Sequence, residues 1–285
     1  MLRTRVLTAV VLVPIVVGLA VLGDPWAALA VLAVSLLAGE ELTRLLPMAG
    51  LPVSRVATLA AIGGVAAGGL GLLNGVLPNA QWPILIGAVL ALGLVGILAP
   101  DPRAGFLGWV GSLFAIAYAG VLPAFLVVAG GLPEPIGAAS TPLAQLGVRP
   151  GAGWLLGLLA LVWGFDSGAY FIGRRFGRHR LAPVLSPGKT VEGVVGGVVV
   201  SAVGGLLACW LIGLEAWHAP LLGLVVGVSG QVGDLAESLV KRAAGVKESG
   251  SLFPGHGGML DRVDSFLFAA PALVAYAALV LGAAP

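Results

Sequence analysis

Apolar blocks of about 18–23 residues follow one another along this chain, each long enough to cross a ~30 Å hydrocarbon core as a helix. Nine are readable, over about residues 5–23, 26–46, 54–74, 82–99, 106–129, 153–173, 188–212, 219–240 and 264–282. A chain that is 59% hydrophobic and 10% charged, with a mean hydropathy of +1.06, is no ordinary soluble domain, where about a quarter of residues are charged. The expected fold is all-α: one polytopic integral membrane domain over 1–285. In it, 1–150 acts as scaffold and 151–285 carries the polar helices and loops.

Charge sets the expected orientation. With the N-terminus in the cytoplasm, only Arg149 of the 15 Lys and Arg residues falls outside, as the positive-inside rule requires. An odd number of spans then places the C-terminus outside. Arg3 and Arg5 before an apolar run resemble a signal peptide, but the run is long and further spans follow, so an uncleaved first helix is expected. Cys209 has no partner within the chain and reads as a small buried residue. The surplus of two positive charges does not point to nucleic acid.

The first half is chemically quiet. Asn74, Pro78 and Asn79 mark a turn, and residues 130–152 form a Gly- and Pro-rich outer connection. Glu40 and Glu41 read as a solvated helix end, with support of a site as the alternative. Glycines four apart (Gly64 and Gly68, Gly193 and Gly197, Gly223 and Gly227) let membrane helices approach closely, within one chain or in a homodimer. No repeat of fixed period is present.

Nearly every unusual polar residue follows position 165, on the cytoplasmic side of this topology. Ionisable groups at a bilayer edge are costly and default to function. Asp166 lies about eight residues before Arg174, roughly 12 Å below the end of its helix. Four arginines between 174 and 180 act as interfacial anchors or headgroup ligands. Ser186 and Pro187 read as a helix N-cap and first helical residue, followed by Gly188, Lys189, Thr190 and Glu192 in the first turns, an arrangement suited to phosphate. The Gly-Lys-Thr triplet is not a P-loop: Pro183 stands where the first glycine belongs, and no strand is expected before it.

Further on, Asp234, Glu237, Ser238 and Lys241 fall at i, i+3, i+4 and i+7, one helical face. Glu237 and Lys241 can neutralise each other; Asp234 remains, and its oxygens suit a hard cation such as Mg²⁺. In the third stretch, glycines flank His256, and Asp261 and Asp264 share a face where the last helix begins, with Arg262 between them. One of the two aspartates could serve as a cap. His256 lacks a second His or Cys at ligand spacing, so zinc is not expected. Together, basic and acidic side chains around a Gly-rich turn suit a phosphate substrate carried by a divalent cation.

These residues carry a resemblance. SLVKR, then KESG, then PGHGGMLDRVD, spanning Ser238 to Asp264, resembles the signature of the phosphatidate cytidylyltransferases. FDSGAYFIGRRFG, SPGKTVEG and GDLAES precede it in the family's order, and the strong similarity covers about residues 163–268. Glu248 departs from the usual Asp, which puts a direct metal role there in doubt. The resemblance implies that CTP and phosphatidate give CDP-diacylglycerol and pyrophosphate, with one or two Mg²⁺ ions, at the cytoplasmic face of the cell's inner membrane.

On that footing Asp234 and Asp261 are expected as principal metal ligands and catalytic residues, with Asp264, Glu237, Asp166 and Ser238 beside them. Lys241, Arg242, Lys247 and Arg262 would neutralise triphosphate and pyrophosphate. His256 with Gly257 and Gly258 would form a phosphate or nucleotide loop, His256 as proton donor. Ser186, Lys189, Thr190 and Glu192 would position phosphatidate or the second phosphate group. Two other readings are a nucleotidyl- or phosphotransferase with another lipid acceptor, and a secondary transporter. Transport fits less well because the polar groups cluster at one face and no paired halves are visible.

Overall fold

A computed structural model describes the chain except residues 1, 74, 76–78, 134, 136, 137, 150, 254, 256, 284 and 285, and except the side chains of residues 2–9. Its helices are α1 (Leu2–Leu22), α2 (Trp26–Met48), α3 (Arg55–Gly69), α4 (Gln81–Ile97) and α5 (Pro102–Ala115). A π-helical turn at Ile116–Val121 leads to α6 (Ala124–Gly130), then the short α7 (Pro142–Gln145) and the long α8 (Gly151–Phe176). After a two-stranded hairpin, β1 (Arg180–Ala182) and β2 (Ser186–Thr190), come α9 (Val191–Ile212), α10 (His218–Ala243) and α11 (Leu260–Val280).

Among the described residues, helix lies at each of the nine expected places. Five of these helical stretches are long and apolar enough to cross a membrane: Pro102–Gly130, Gly151–Phe176, Val191–Ile212, His218–Ala243 and Leu260–Val280. Val10–Leu22, Arg55–Gly69 and Gln81–Ile97 are apolar but shorter. The chain is thus a nearly all-α, multi-pass membrane protein.

A short hairpin departs from the otherwise helical fold and corrects the helix start expected at Ser186. Ser186 and Pro187 lie in β2, not at a helix start, and Gly188 and Lys189 are strand residues. The strands are antiparallel, with Arg180 opposite Thr190 and Ala182 opposite Ser186. The N-cap of α9 is Thr190, whose Oγ1 accepts a hydrogen bond from Gly193 N at 3.1 Å.

The chain divides into two compact units. One comprises Met1–Val10, Ala28–Ala124 and Leu239–Val263. Within it Leu42, Ile62 and Ala66 are completely buried. Thr58 and Ser112 join their hydroxyls at 2.9 Å, and Trp109 Nε1 donates to Val89 O at 3.1 Å. A Cβ at Gly68 would come 2.5 Å from Gln81 N, so this glycine sets how closely the chain entering α4 meets α3. Glu40 is held by Arg44 and Arg55, partners on its exposed side.

The other unit comprises Val11–Ala27, Phe125–Ser238 and Asp264–Pro285. Its core includes Trp154, Leu158, Leu161, Leu222, Leu273 and Cys209, the last 2% exposed. Small residues seat its helices. A Cβ at Gly168 of α8 would lie 2.7 Å from Gly196 O of α9, and one at Gly223 of α10 would lie 2.5 Å from Ala202 N. Arg149, the one basic residue expected outside, donates to Gly130 O and Ala20 O at 3.3 and 3.4 Å, satisfying carbonyls near the ends of α6 and α1.

Candidate functional site

Two charged clusters emerge, one in each unit. The first is built on the hairpin and on α10. Lys189 Nζ lies 2.5 Å from Asp234 Oδ2, with 19% and 32% of the two side chains exposed. Position 189 reaches α10 because β2 runs directly into α9 and Thr190 fixes that junction. Glu192, one residue into α9, accepts from Arg178 N at 3.0 Å and His179 N at 3.2 Å, and contacts His179 Nδ1 at 2.6 Å. The expected phosphate-positioning Glu192 therefore ties down the chain that enters the hairpin. Arg180 Nη1 closes the hairpin by donating to Pro187 O at 2.6 Å.

Along α10, Glu237 is completely buried and Ser238 is 7% exposed, one turn from Asp234. Gly233 explains why glycine precedes this aspartate: its Cβ would sit 2.4 Å from Asp264 O, so α10 and α11 touch there. Asp264 Oδ1 accepts from Ser265 N at 2.6 Å. Asp166 lies on α8 with its side chain exposed.

The second cluster surrounds Asp261, in the first turn of α11. Lys241 Nζ is 2.6 Å from Asp261 Oδ1. Oδ2 accepts from Ser249 N at 2.9 Å, Ser249 Oγ at 2.9 Å and Gly258 N at 2.8 Å. The segment curls back at Gly257, whose φ is +78° and whose carbonyl accepts from Phe253 N at 2.9 Å. A Cβ on Gly257 would fall 2.4 Å from Asp261 Oδ2, so glycine is needed for both conformation and space. Arg242 Nη1 donates to Val246 O at 2.8 Å. Lys247, Glu248 and Arg262 are exposed. His256, the expected proton donor, lies outside the described residues.

The same cluster contains Glu41, for which support of a site was the alternative to a solvated helix end. Glu41 of α2 is not a solvated helix end: it is 7% exposed. It accepts from Ser249 Oγ at 2.8 Å, Met259 N at 2.7 Å and Leu260 N at 2.9 Å. A signal was present, since Glu40 has Arg44 four residues on whereas Glu41 has Leu45. An acidic residue in an apolar helix without a cation one turn away must find its donors elsewhere.

No group of three or more His, Cys, Asp or Glu side chains is gathered for a metal among the described residues. A cage built from protein alone is not what these residues offer. Mg²⁺ uses one or two carboxylates and takes its remaining oxygens from water and substrate phosphate. Asp234, with about a third of its side chain open, fits such an ion. Asp261, already accepting from Lys241, Ser249 and Gly258, fits only by exchanging a donor.

Carboxylates paired with lysines, amides from a glycine turn and membrane-long helices mark the class as a helical membrane protein with charged clusters. The model of the cytidylyltransferase family matches residues 3–280, and the chain belongs to that family. Proteins named phosphatidate cytidylyltransferase are among its relatives. That of Staphylococcus haemolyticus is 44% identical over 125 residues, 43% of this chain and 48% of the relative. That of Brucella suis is 48% identical over 123 residues, 43% of this chain and 46% of the relative. That of a Synechocystis species is 41% identical over 184 residues, 60% of this chain and 62% of the relative. The matched stretch spans about half the length of the first two relatives.

Proposed function

We propose that the protein transfers the cytidylyl group of CTP to phosphatidate, forming CDP-diacylglycerol and pyrophosphate in phospholipid synthesis. The observation that carries this reading is the second cluster: the segment holding the family signature folds back on itself, around one carboxylate, Asp261, paired with Lys241. Family membership and the names of the relatives support the substrates.

The chemistry asks for arrangement more than for a strong base. A phosphatidate phosphate oxygen is already anionic; it forms a bond to the α-phosphorus of CTP while the bond to the β-phosphate oxygen breaks. The protein must bring two polyanions together, align them and offset the growing charge. Lys189 and Lys241 offer cationic groups for phosphate, and Arg242, Lys247 and Arg262 supply exposed charge for triphosphate and pyrophosphate. Asp234 and Asp261 are the proposed Mg²⁺-holding carboxylates, each within its own cluster; Mg²⁺ when bound supplies Lewis-acid stabilisation of phosphate oxygens.

The finer topology belongs to this proposal: nine spans, a cytoplasmic N-terminus, and a site open to the cytoplasm in the cell's inner membrane. It is supported by the asymmetry of the Lys and Arg residues, only one of which falls outside. A C-terminal reporter active only in the cytoplasm would overturn it.

The deciding experiment incubates the purified protein with CTP, phosphatidate and Mg²⁺. Formation of a CDP-lipid with release of pyrophosphate is expected. A CDP-lipid formed only with another lipid acceptor, or vesicle flux without chemistry, would replace this reading by one of its rivals.

A further inference from the structure

Glu41 belongs to the half of the chain that looks like scaffold, yet its carboxylate closes on the signature segment. Each of its three hydrogen bonds goes there, to Ser249 Oγ, Met259 N and Leu260 N. The two amides are free donors at the start of α11, where a negative group is favoured by both hydrogen bonding and the helix dipole. Space is kept for this carboxylate by glycine. A Cβ on Gly250 would lie 2.6 Å from Glu41 Oε1, and one on Gly258 would lie 2.4 Å from both Glu41 oxygens. Lys-Glu-Ser-Gly and the Gly257–Gly258 turn are thus shaped around a residue some 200 positions earlier in the chain (about 208 to Ser249).

Ser249 links the two carboxylates. Its hydroxyl lies 2.8 Å from Glu41 Oε2 and 2.9 Å from Asp261 Oδ2. One hydroxyl has one proton, so it donates to one acceptor at a time. When Glu41 takes that proton, Asp261 Oδ2 keeps the Ser249 and Gly258 amides as its donors.

We propose that Glu41 is a positioning residue for the reaction, fixing Ser249 and the first turn of α11 so that Asp261 and Lys241 stay aligned. The inference rests on the cytidylyl-transfer reading above. A displacement of about 1 Å at such a site lowers rate by roughly 100-fold, and loss of the three acceptor contacts is enough to cause one.

The test uses the full chain in lipid–detergent micelles and compares Glu41→Gln, Ser249→Ala, the double variant and Glu40→Gln. Two readouts are taken: hydrogen–deuterium exchange of peptides covering 247–262, and kcat with the KM for CTP from CDP-lipid formation. Glu41→Gln places an amide donor against backbone donors. Exchange at 258–260 should rise at least tenfold, and kcat should fall about 100-fold with KM moved less than about threefold. Ser249→Ala should have the smaller effect, and the double variant should be no worse than Glu41→Gln alone, because the two act as a unit. Glu40→Gln, whose partners are the exposed Arg44 and Arg55, should change neither readout. Unchanged exchange at 258–260 in Glu41→Gln, or an additive double variant, overturns the proposal. If the wild-type protein forms no CDP-lipid, the functional reading has failed; the exchange result still decides whether Glu41 anchors the segment.

Discussion

Lys241 Nζ stands 2.6 Å from Asp261 Oδ1, with 11% and 8% of the two side chains exposed. The residues lie twenty positions apart, so this pair closes the loop that carries the family signature. Closing it puts a nearly dehydrated cation and anion in direct contact. Such a pair gives specificity of arrangement more than net stability, and breaking it by removing one member is the costly event.

The two members should respond differently to removal. Lys241→Met leaves Asp261 with the donors from Ser249 and Gly258; Asp261→Asn leaves Lys241 facing a neutral amide and puts an NH₂ where three donors converge. Loss of about 3–5 kcal/mol is expected for Asp261→Asn and less for Lys241→Met, read by denaturant titration in mixed micelles. Both should abolish CDP-lipid formation. Near-normal turnover of Asp261→Asn at ordinary Mg²⁺ would remove Asp261 from the chemistry.

The Lys189–Asp234 pair is more open and should behave as a functional pair with little structural weight. Lys189→Met should cost less stability than Asp261→Asn, because 19% and 32% of the two side chains stay exposed, against 11% and 8% in the Lys241–Asp261 pair. Asp234→Asn should lower turnover by more than about 100-fold and raise the Mg²⁺ concentration needed for half-maximal rate, as expected of a carboxylate on the ion. Turnover of Asp234→Asn that is both near normal and insensitive to Mg²⁺ would reassign it.

Much of this was legible in the residues because lipid makes polar side chains conspicuous. Asp234, Lys241 and Asp261 stood out against apolar helices, and helices lie where the long apolar blocks put them. The hairpin was not legible. Ser186–Thr190 is too short for period-two alternation to register, and Ser-Pro ahead of an apolar run is also the signature of a helix start. Glu41 was hidden for another reason. Its donors come from Ser249, Met259 and Leu260, and a contact across some two hundred residues leaves no local pattern except a missing i+4 partner.

Thr190 offers a clean separation of cap from ligand. Its Oγ1 is already engaged with Gly193 N, and the residue is 6% exposed. Thr190→Ala should destabilise the protein by about 1–2 kcal/mol and Thr190→Ser should restore most of it, both measured by thermal unfolding. A Thr190→Ala variant of wild-type stability with a raised KM for phosphatidate would instead make this hydroxyl a substrate ligand.

Gly230 and Gly233 lie one turn apart on α10 and face α11 at different clearances. A Cβ at Gly230 meets nothing nearer than Ser265 O at 3.5 Å, an ordinary contact, whereas at Gly233 it would meet Asp264 O at 2.4 Å. Backbone cannot yield as a side-chain tip does, so Gly233→Ala must push the helices apart beside Asp234. Overpacking of this kind destabilises by about 1–3 kcal/mol, against a helix-propensity gain of up to about 1 kcal/mol from replacing glycine by alanine. Gly230→Ala should therefore be neutral or stabilising in thermal melts, while Gly233→Ala should melt earlier and lose turnover. Equal melting temperatures for the two variants would mean that α10 and α11 do not meet at Gly233 as described.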